Sequence, residues 1–219
     1  MNRLAIFDCD GTLVDSAGNI CAAMESCFAS AALPLPPRQT TRRVVGLSLI
    51  DAIRALHPAG EPDLHIAMAE DYKRAFHAMR GQGAIAEPLF EGIAEAIDAL
   101  DAAGWLLGVA TGKSDRGLAF CLEHHGLSRR FVTLQTADRH PSKPHPSMIE
   151  AAMADAGASR ETTVMIGDTS FDIGMAKAAG VIAIGVAWGY HDRAELLAEG
   201  ADLVAEHPAE LAAMLEALT

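Results

Sequence analysis

The residues best placed to do chemistry stand near the start of the chain, where Asp8-Cys9-Asp10-Gly11-Thr12 directly follows the apolar run Leu4-Ala5-Ile6-Phe7. At strand spacing Asp8 and Asp10 point to the same side, so two carboxylates converge just beyond the end of a strand. Two acids that close are costly unless a cation sits between them or one keeps its proton. A lone Asp-Gly step would be only a turn former. Cys9 lies between the aspartates, but its side chain alternates away from them and reads as packing. His124-His125 fall late in a helix beginning near Ser114, where they suit the negative end of the helix dipole better than a metal.

A pair of acids at the end of a strand needs a sheet to hold it. The run Leu4 to Phe7 is apolar throughout, as a strand buried on both faces must be. Similar runs recur at Trp105 to Ala110, Phe131 to Leu134, Thr162 to Ile166 and Val181 to Val186. Helical segments lie between them and stop at glycines: 92–103 before Gly104, 146–156 before Gly157, and 170–179 before Gly180. This alternation predicts an α/β fold with a doubly wound, Rossmann-like parallel sheet. From Ser16 to about Ala84 the rhythm changes: helices over 16–31, 47–56 and 63–79 surround a Pro-rich turn at Leu33 to Pro37. The expected organisation is a catalytic core of 1–15 and 85–219, with an all-helical cap of 16–84 inserted after the first strand. Asp15 and Ser16 are placed to cap the first of those helices and mark the hinge.

Bulk composition removes several classes of function. The 219 residues are 50% hydrophobic and 21% charged, which excludes a disordered chain. A net charge of −12 argues against a nucleic-acid binder that works by neutralising phosphates. The acidity is uneven: residues 16–85 hold seven basic and six acidic side chains, against ten and twenty-three elsewhere. The longest apolar stretch, Gly180 to Gly189, is far shorter than the ~18–20 residues of a membrane span. The N-terminus turns acidic too soon for a secretory signal, and the four cysteines show no CxxC spacing. A cytoplasmic protein with reduced cysteines, not bound to membrane, is the expectation.

Four separated motifs then give the chain a resemblance along nearly its whole length. Residues 8–16, Ala110-Thr111-Gly112, Ser142-Lys143-Pro144 and Gly167-Asp168-Thr169-Ser170-Phe171-Asp172 resemble, in order, the four motifs of the haloacid dehalogenase-like hydrolases, in their phosphatase branch. The implied chemistry is phosphoryl transfer, and the residue types suit it. An ionised Asp8 needs no base to act as a nucleophile. A carboxylate nearing an anionic phosphoryl group is repelled, so the site needs a divalent cation, and Mg²⁺, hard and oxygen-loving, fits. The resemblance implies Asp8, Asp168 and the Asp10 backbone carbonyl as its ligands, with Asp172 outside them orienting water or Lys143. It implies Asp10 as general acid and then base, and Thr111, Gly112 and Lys143 as holders of the phosphoryl group. Lys113 reads equally as a substrate contact and as the exposed start of a helix. Pro144 biases Lys143 away from helical backbone, so the lysine is expected on an extended loop.

The expected function is a Mg²⁺-dependent phosphatase acting on a small phosphorylated metabolite through an aspartyl-phosphate, similar to phosphoglycolate phosphatases, as a monomer or homodimer. The alternative is a phosphomutase of the β-phosphoglucomutase type. Those carry a cap arginine shortly after a glycine, whereas Gly46-Leu47-Ser48-Leu49 has no cation and Arg42 and Arg43 lie just before it. A catalytically idle member binding a phosphorylated ligand is the remaining possibility; it predicts loss of Asp8, Asp10, Lys143 or Asp168, all of which are present.

Overall fold

The computed structural model describes residues 2–83 and 85–218. Six parallel strands form one sheet: β1 (Asn2–Phe7), β2 (Leu106–Thr111), β3 (Thr133–Thr136), β4 (Ala158–Gly167), β5 (Ile182–Val186) and β6 (Leu203–Ala205), in the order β3-β2-β1-β4-β5-β6. The last strand, three residues long, carries too short an apolar run to stand out in the sequence. Successive strands move outward from β1 to β3, and the chain then returns to place β4 beside β1. That reversal opens a crevice at the carboxyl ends of β1 and β4, where open α/β sheets bind ligands. Register makes the two ends level, since Phe7 pairs with Ile166 and the Asp8 N–H donates to the Ile166 carbonyl at 2.9 Å.

Alternate residues of β1 feed different cores. Ala5 and Phe7 pack with Val109, Ile166 and the helix α5 (Ile93–Ala102), whereas Leu4 and Ile6 pack with Met165 and the helices α7 (Ser147–Ala156) and α8 (Ser170–Ala179). Burial on both faces is why the strand is apolar at every position from Leu4 to Phe7. Between α5 and β5 the predicted helices also include α6 (Asp115–His124), started by Ser114, whose hydroxyl accepts from the Gly117 N–H. The C-terminal part adds α9 (Arg193–Glu199), a 3₁₀ turn at Pro208–Glu210 and α10 (Leu211–Ala217).

The segment after β1 is helical: α1 (Ala17–Ser30), α2 (Arg38–Arg42), α3 (Leu49–Leu56) and α4 (Pro62–Gly81). These helices have their own apolar cluster, built on Met24, Cys27, Phe28, Ile53, Met68 and Ala69. The predicted helix over 47–56 starts two residues late because the Ser48 hydroxyl accepts from the Asp51 N–H and caps it. Ser16 stands at the N-cap of α1 but makes no side-chain capping bond there. The expected return to the sheet at 84/85 involves Ala84, which lies outside the described residues. Among the described residues no helix is long and apolar enough to cross a membrane.

Candidate active site

Asp8 leaves the end of β1 and is fully buried. Its Oδ1 accepts from the Cys9 N–H at 2.7 Å and pairs with Lys143 Nζ at 2.8 Å. Its Oδ2, also buried, has no hydrogen-bond partner among the described residues. Asp168 leaves the end of β4, where Thr12 Oγ1 donates to Oδ1 at 2.8 Å and the Tyr190 N–H donates to Oδ2 at 2.9 Å. Gly11 (φ +88°) and Gly189 flank it, and a Cβ at either would collide with this aspartate. The β1 turn can therefore close on β4 only with glycine at position 11.

Asp172 sits in the first turn of α8, where Thr169 caps the helix reciprocally with it: Thr169 N–H and Oγ1 donate to Oδ2 at 3.0 and 2.7 Å. Its Oδ1 meets Lys143 Nζ at 2.6 Å. Asp172 is thus an acid of the helix start and, through its other oxygen, a partner of Lys143. Lys143 lies between Asp8 and Asp172 with its side chain wholly buried. Burial works against its charge, but Asp172 and Asp8 more than offset that and hold it above the ordinary lysine range.

Oxygens of Asp8, Asp168 and Asp172 lie within 4.8 Å of one another. Asp172, expected outside the ligand set, is as near as the others, although its oxygens are taken by Lys143 and Thr169. Three carboxylates share one ammonium, leaving an excess of negative charge in a dry place. Burial, with Asp172 next to it, pushes Asp8 up to about 7 in spite of Lys143, and burial, Asp172 and Asp8 push Asp168 well above its ordinary range. Hard oxygen donors, uncompensated charge and the unpartnered Oδ2 together fit a divalent cation of the Mg²⁺ kind.

Asp10 faces elsewhere. Its Oδ1 accepts from Ser16 Oγ and pairs with Lys113 Nζ at 2.7 Å. This is why Ser16 does not cap α1 with its side chain. Lys113 also reaches Glu87 at 3.0 Å and is largely buried, so it is not an exposed helix start. Burial opposes its charge, yet Asp10 and Glu87 help hold it well above the ordinary value. Thr111 is buried one strand from Asp8, its hydroxyl accepting from the Lys113 N–H at 3.2 Å. Gly112 touches the helical segment: a Cβ there would come within 2.5 Å of the Leu47 carbonyl oxygen. The Ser142 hydroxyl, next to Lys143, accepts from the Ser48 N–H at 2.8 Å. Cys9 points away from the aspartates, 3.9 Å from Cys121 Sγ. Of the two late histidines, His124 stacks on Phe120, and His125 Nε2 lies 2.7 Å from the Glu87 carbonyl.

Several contributors escape the sequence reading. Thr12 supports Asp168, Glu87 supports Lys113, and the loop Trp188-Gly189-Tyr190-His191 closes one side of the site. In that loop Trp188 Nε1 donates to the Thr12 carbonyl at 3.1 Å, and the Ser170 N–H donates to His191 Nδ1 at 3.1 Å. The usable signal was positional, because this loop follows the carboxyl end of a parallel strand. For Glu87 there was none.

The chain is similar to known proteins in sequence and in fold. The family described as haloacid dehalogenase-like hydrolase matches residues 5–186. A protein of Dickeya dadantii called "Probable phosphatase IndB" is 35% identical over 100% of this chain and 95% of its own. A phosphoglycolate phosphatase of Agrobacterium fabrum is 32% identical, covering 88% of this chain and 83% of its own. A Mycobacterium tuberculosis protein named tyrosine-protein kinase PtkA is 31% identical over 99% of this chain and 72% of its own. Among solved structures, a predicted phosphatase from Clostridium acetobutylicum superposes with a TM-score of 0.88 over 99% of each chain, at 24% identity, a likeness of fold.

Proposed function

The chain belongs to the haloacid dehalogenase-like hydrolases, and from that premise we propose that it is a phosphatase releasing inorganic phosphate from a small phosphorylated metabolite. The observation that carries this reading is Lys143 buried between Asp8 and Asp172, with Asp168 alongside and one Asp8 oxygen unpartnered. A Mg²⁺ ion held by Asp8, Asp168 and the Asp10 carbonyl would offset the charge of nucleophile and phosphate. In this reading residues 16–84 form the cap over a core of 1–15 and 85–219.

The Asp8 carboxylate attacks phosphorus, forming an aspartyl-phosphate as the bond to the ester oxygen breaks. Asp10 gives its proton to that oxygen, and the alcohol leaves. Water then attacks phosphorus, Asp10 takes its proton, and the bond to Asp8 breaks to release phosphate. Ser16 and Lys113 orient Asp10, while Lys143 and Thr111 hold the phosphoryl oxygens. Of the two arginines before Gly46, Arg43 pairs with Glu195 at 2.5 and 2.7 Å, which supports hydrolase over phosphomutase.

With Mg²⁺ and p-nitrophenyl phosphate the chain should release phosphate, and Asp8→Asn should reduce turnover to background. Undiminished turnover by that variant would remove Asp8 as the nucleophile. Free phosphate, as opposed to label retained on protein, distinguishes hydrolysis from the transfer for which the mycobacterial relative is named.

A further inference from the structure

A cleft of about 410 Å³ opens between the helical segment and the sheet, with Asp10, Gly112 and Lys113 at its inner end. In the phosphatase reading, the leaving alcohol that Asp10 would protonate lies in this cleft. At ~30 Å³ per water the space matches roughly fourteen waters, so the two-carbon acid of phosphoglycolate would leave most of it empty. Its walls are chiefly apolar, with Ile20 and Met24 of α1 among them.

Its length is marked out by α4. Tyr72, Phe76 and Arg80 recur every fourth residue, so they share one helix face and span about 12 Å. The Tyr72 phenol lies close enough to Lys113, Asp10 and Glu87 to feel their charges, which puts it at the inner end. The Phe76 ring stacks on Tyr72, with centroids 5.9 Å apart and planes 26° from parallel. The Arg80 guanidinium lies 5.6 Å from the Phe76 centroid and 4.1 Å from that of Phe120 on α6, crossing from one side of the cleft to the other. Its Nε is buried without an acceptor among the described residues, and exposed Arg116 also lines the cleft. An aromatic wall thus runs outward from the reacting centre and ends at the Arg80 guanidinium.

We infer that the cleft selects phosphate monoesters of ring-bearing alcohols, the ring lying along Tyr72 and Phe76 and a distal carboxylate or other anionic group reaching Arg80. This rests on the phosphatase reading and replaces the two-carbon phosphoglycolate by a larger, flat substrate class. Offset stacking and apolar contact favour the ring, and the Arg80 guanidinium, held against two aromatic rings with no carboxylate paired to it among the described residues, favours the anion.

Two measurements test it. Binding of phosphoglycolate, 2-naphthyl phosphate and 2-naphthyl phosphate bearing a 6-carboxylate to the Asp8→Asn variant is followed by calorimetry. The carboxylated ring ester should bind at least tenfold tighter than phosphoglycolate. In the active chain with Mg²⁺, the ratio of kcat/KM for that ester to kcat/KM for acetyl phosphate is then compared across variants. Phe76→Ala should lower the ratio at least tenfold. Arg80→Met should abolish the advantage of the carboxylate over plain naphthyl phosphate, and Arg80→Lys should restore part of it. Tightest binding of phosphoglycolate, or a ratio unmoved by Phe76→Ala, overturns the inference. Ring-selective binding without phosphate release from any compound, acetyl phosphate included, overturns the phosphatase reading and leaves the selectivity standing.

Discussion

Lys143 and Lys113 are both buried ammonium groups, each matched to a different carboxylate of the first motif. Lys143 holds Asp8 against Asp172, and Lys113 holds Asp10 against Glu87. The two aspartates therefore sit in different electrostatic surroundings two residues apart. Asp8 has the cost of burial only partly met by its lysine, and in the metal-free fold it keeps its proton up to about 7, against an ordinary 3.8. The folded chain then binds that proton more tightly than the unfolded chain does. Its stabilising contribution is complete below about pH 4 and is lost as pH rises through about 7. The metal-free protein should accordingly lose several degrees of Tm between pH 5 and 8 relative to Asp8→Asn, and saturating Mg²⁺ should remove much of that difference. Parallel Tm profiles for the two metal-free proteins would contradict it.

At the level of elements, the site depends on close approaches that only small residues permit. Gly11 lets the turn after β1 meet Asp168, and Gly112 lets the turn after β2 meet the loop before α3. The second contact joins the helical segment to the sheet beside the cleft. At Gly112 the obstacle to a methyl group is backbone, the carbonyl oxygens of Leu47 at 2.5 Å and Gly46 at 2.9 Å, so no side chain can rotate away. Gly112→Ala must push that loop outward. KM for a ring-bearing ester should rise about tenfold or more, with a smaller loss of Tm, since the main apolar clusters lie elsewhere. Unchanged steady-state kinetics would show that this loop does not close on Gly112 in solution.

Over the whole molecule, charge and packing divide along the same line. Residues 16–85 are close to neutral, with seven basic and six acidic side chains, and the acidity belongs to the rest. In the proposed reading long-range repulsion should hinder an anionic substrate, so positive potential must be local, from Lys143, from a divalent cation if the aspartates hold one, and from the arginines that line the cleft. Salt screens the distant charges more than the buried ones. Raising ionic strength from about 20 to 300 mM should therefore leave kcat/KM flat or slightly higher. A steep fall would mean that long-range attraction brings the substrate in.

The sequence by itself determined five of the six strands, most helices and the residues that leave the strand ends, because these are local matters. An apolar run ending in Asp marks a buried strand that delivers a carboxylate to its edge, as at Asp8 and Asp168, and a glycine stop marks a helix end, as at Gly157 and Gly180. The three-residue β6, the five-residue α2 and the seven-residue α9 and α10 carried too little pattern to be seen. Tertiary structure alone decided which charges meet. The reversal of strand order sets β1 beside β4 and so brings Asp8 to Asp168, 160 residues away in the chain. It also gave Lys113 to Asp10 and Glu87, turned Ser16 from a helix cap to a partner of Asp10, and brought Tyr190 over Asp168. Such pairings depend on through-space distance and on exclusion of water, and neither follows from residue type and spacing until the layers have packed.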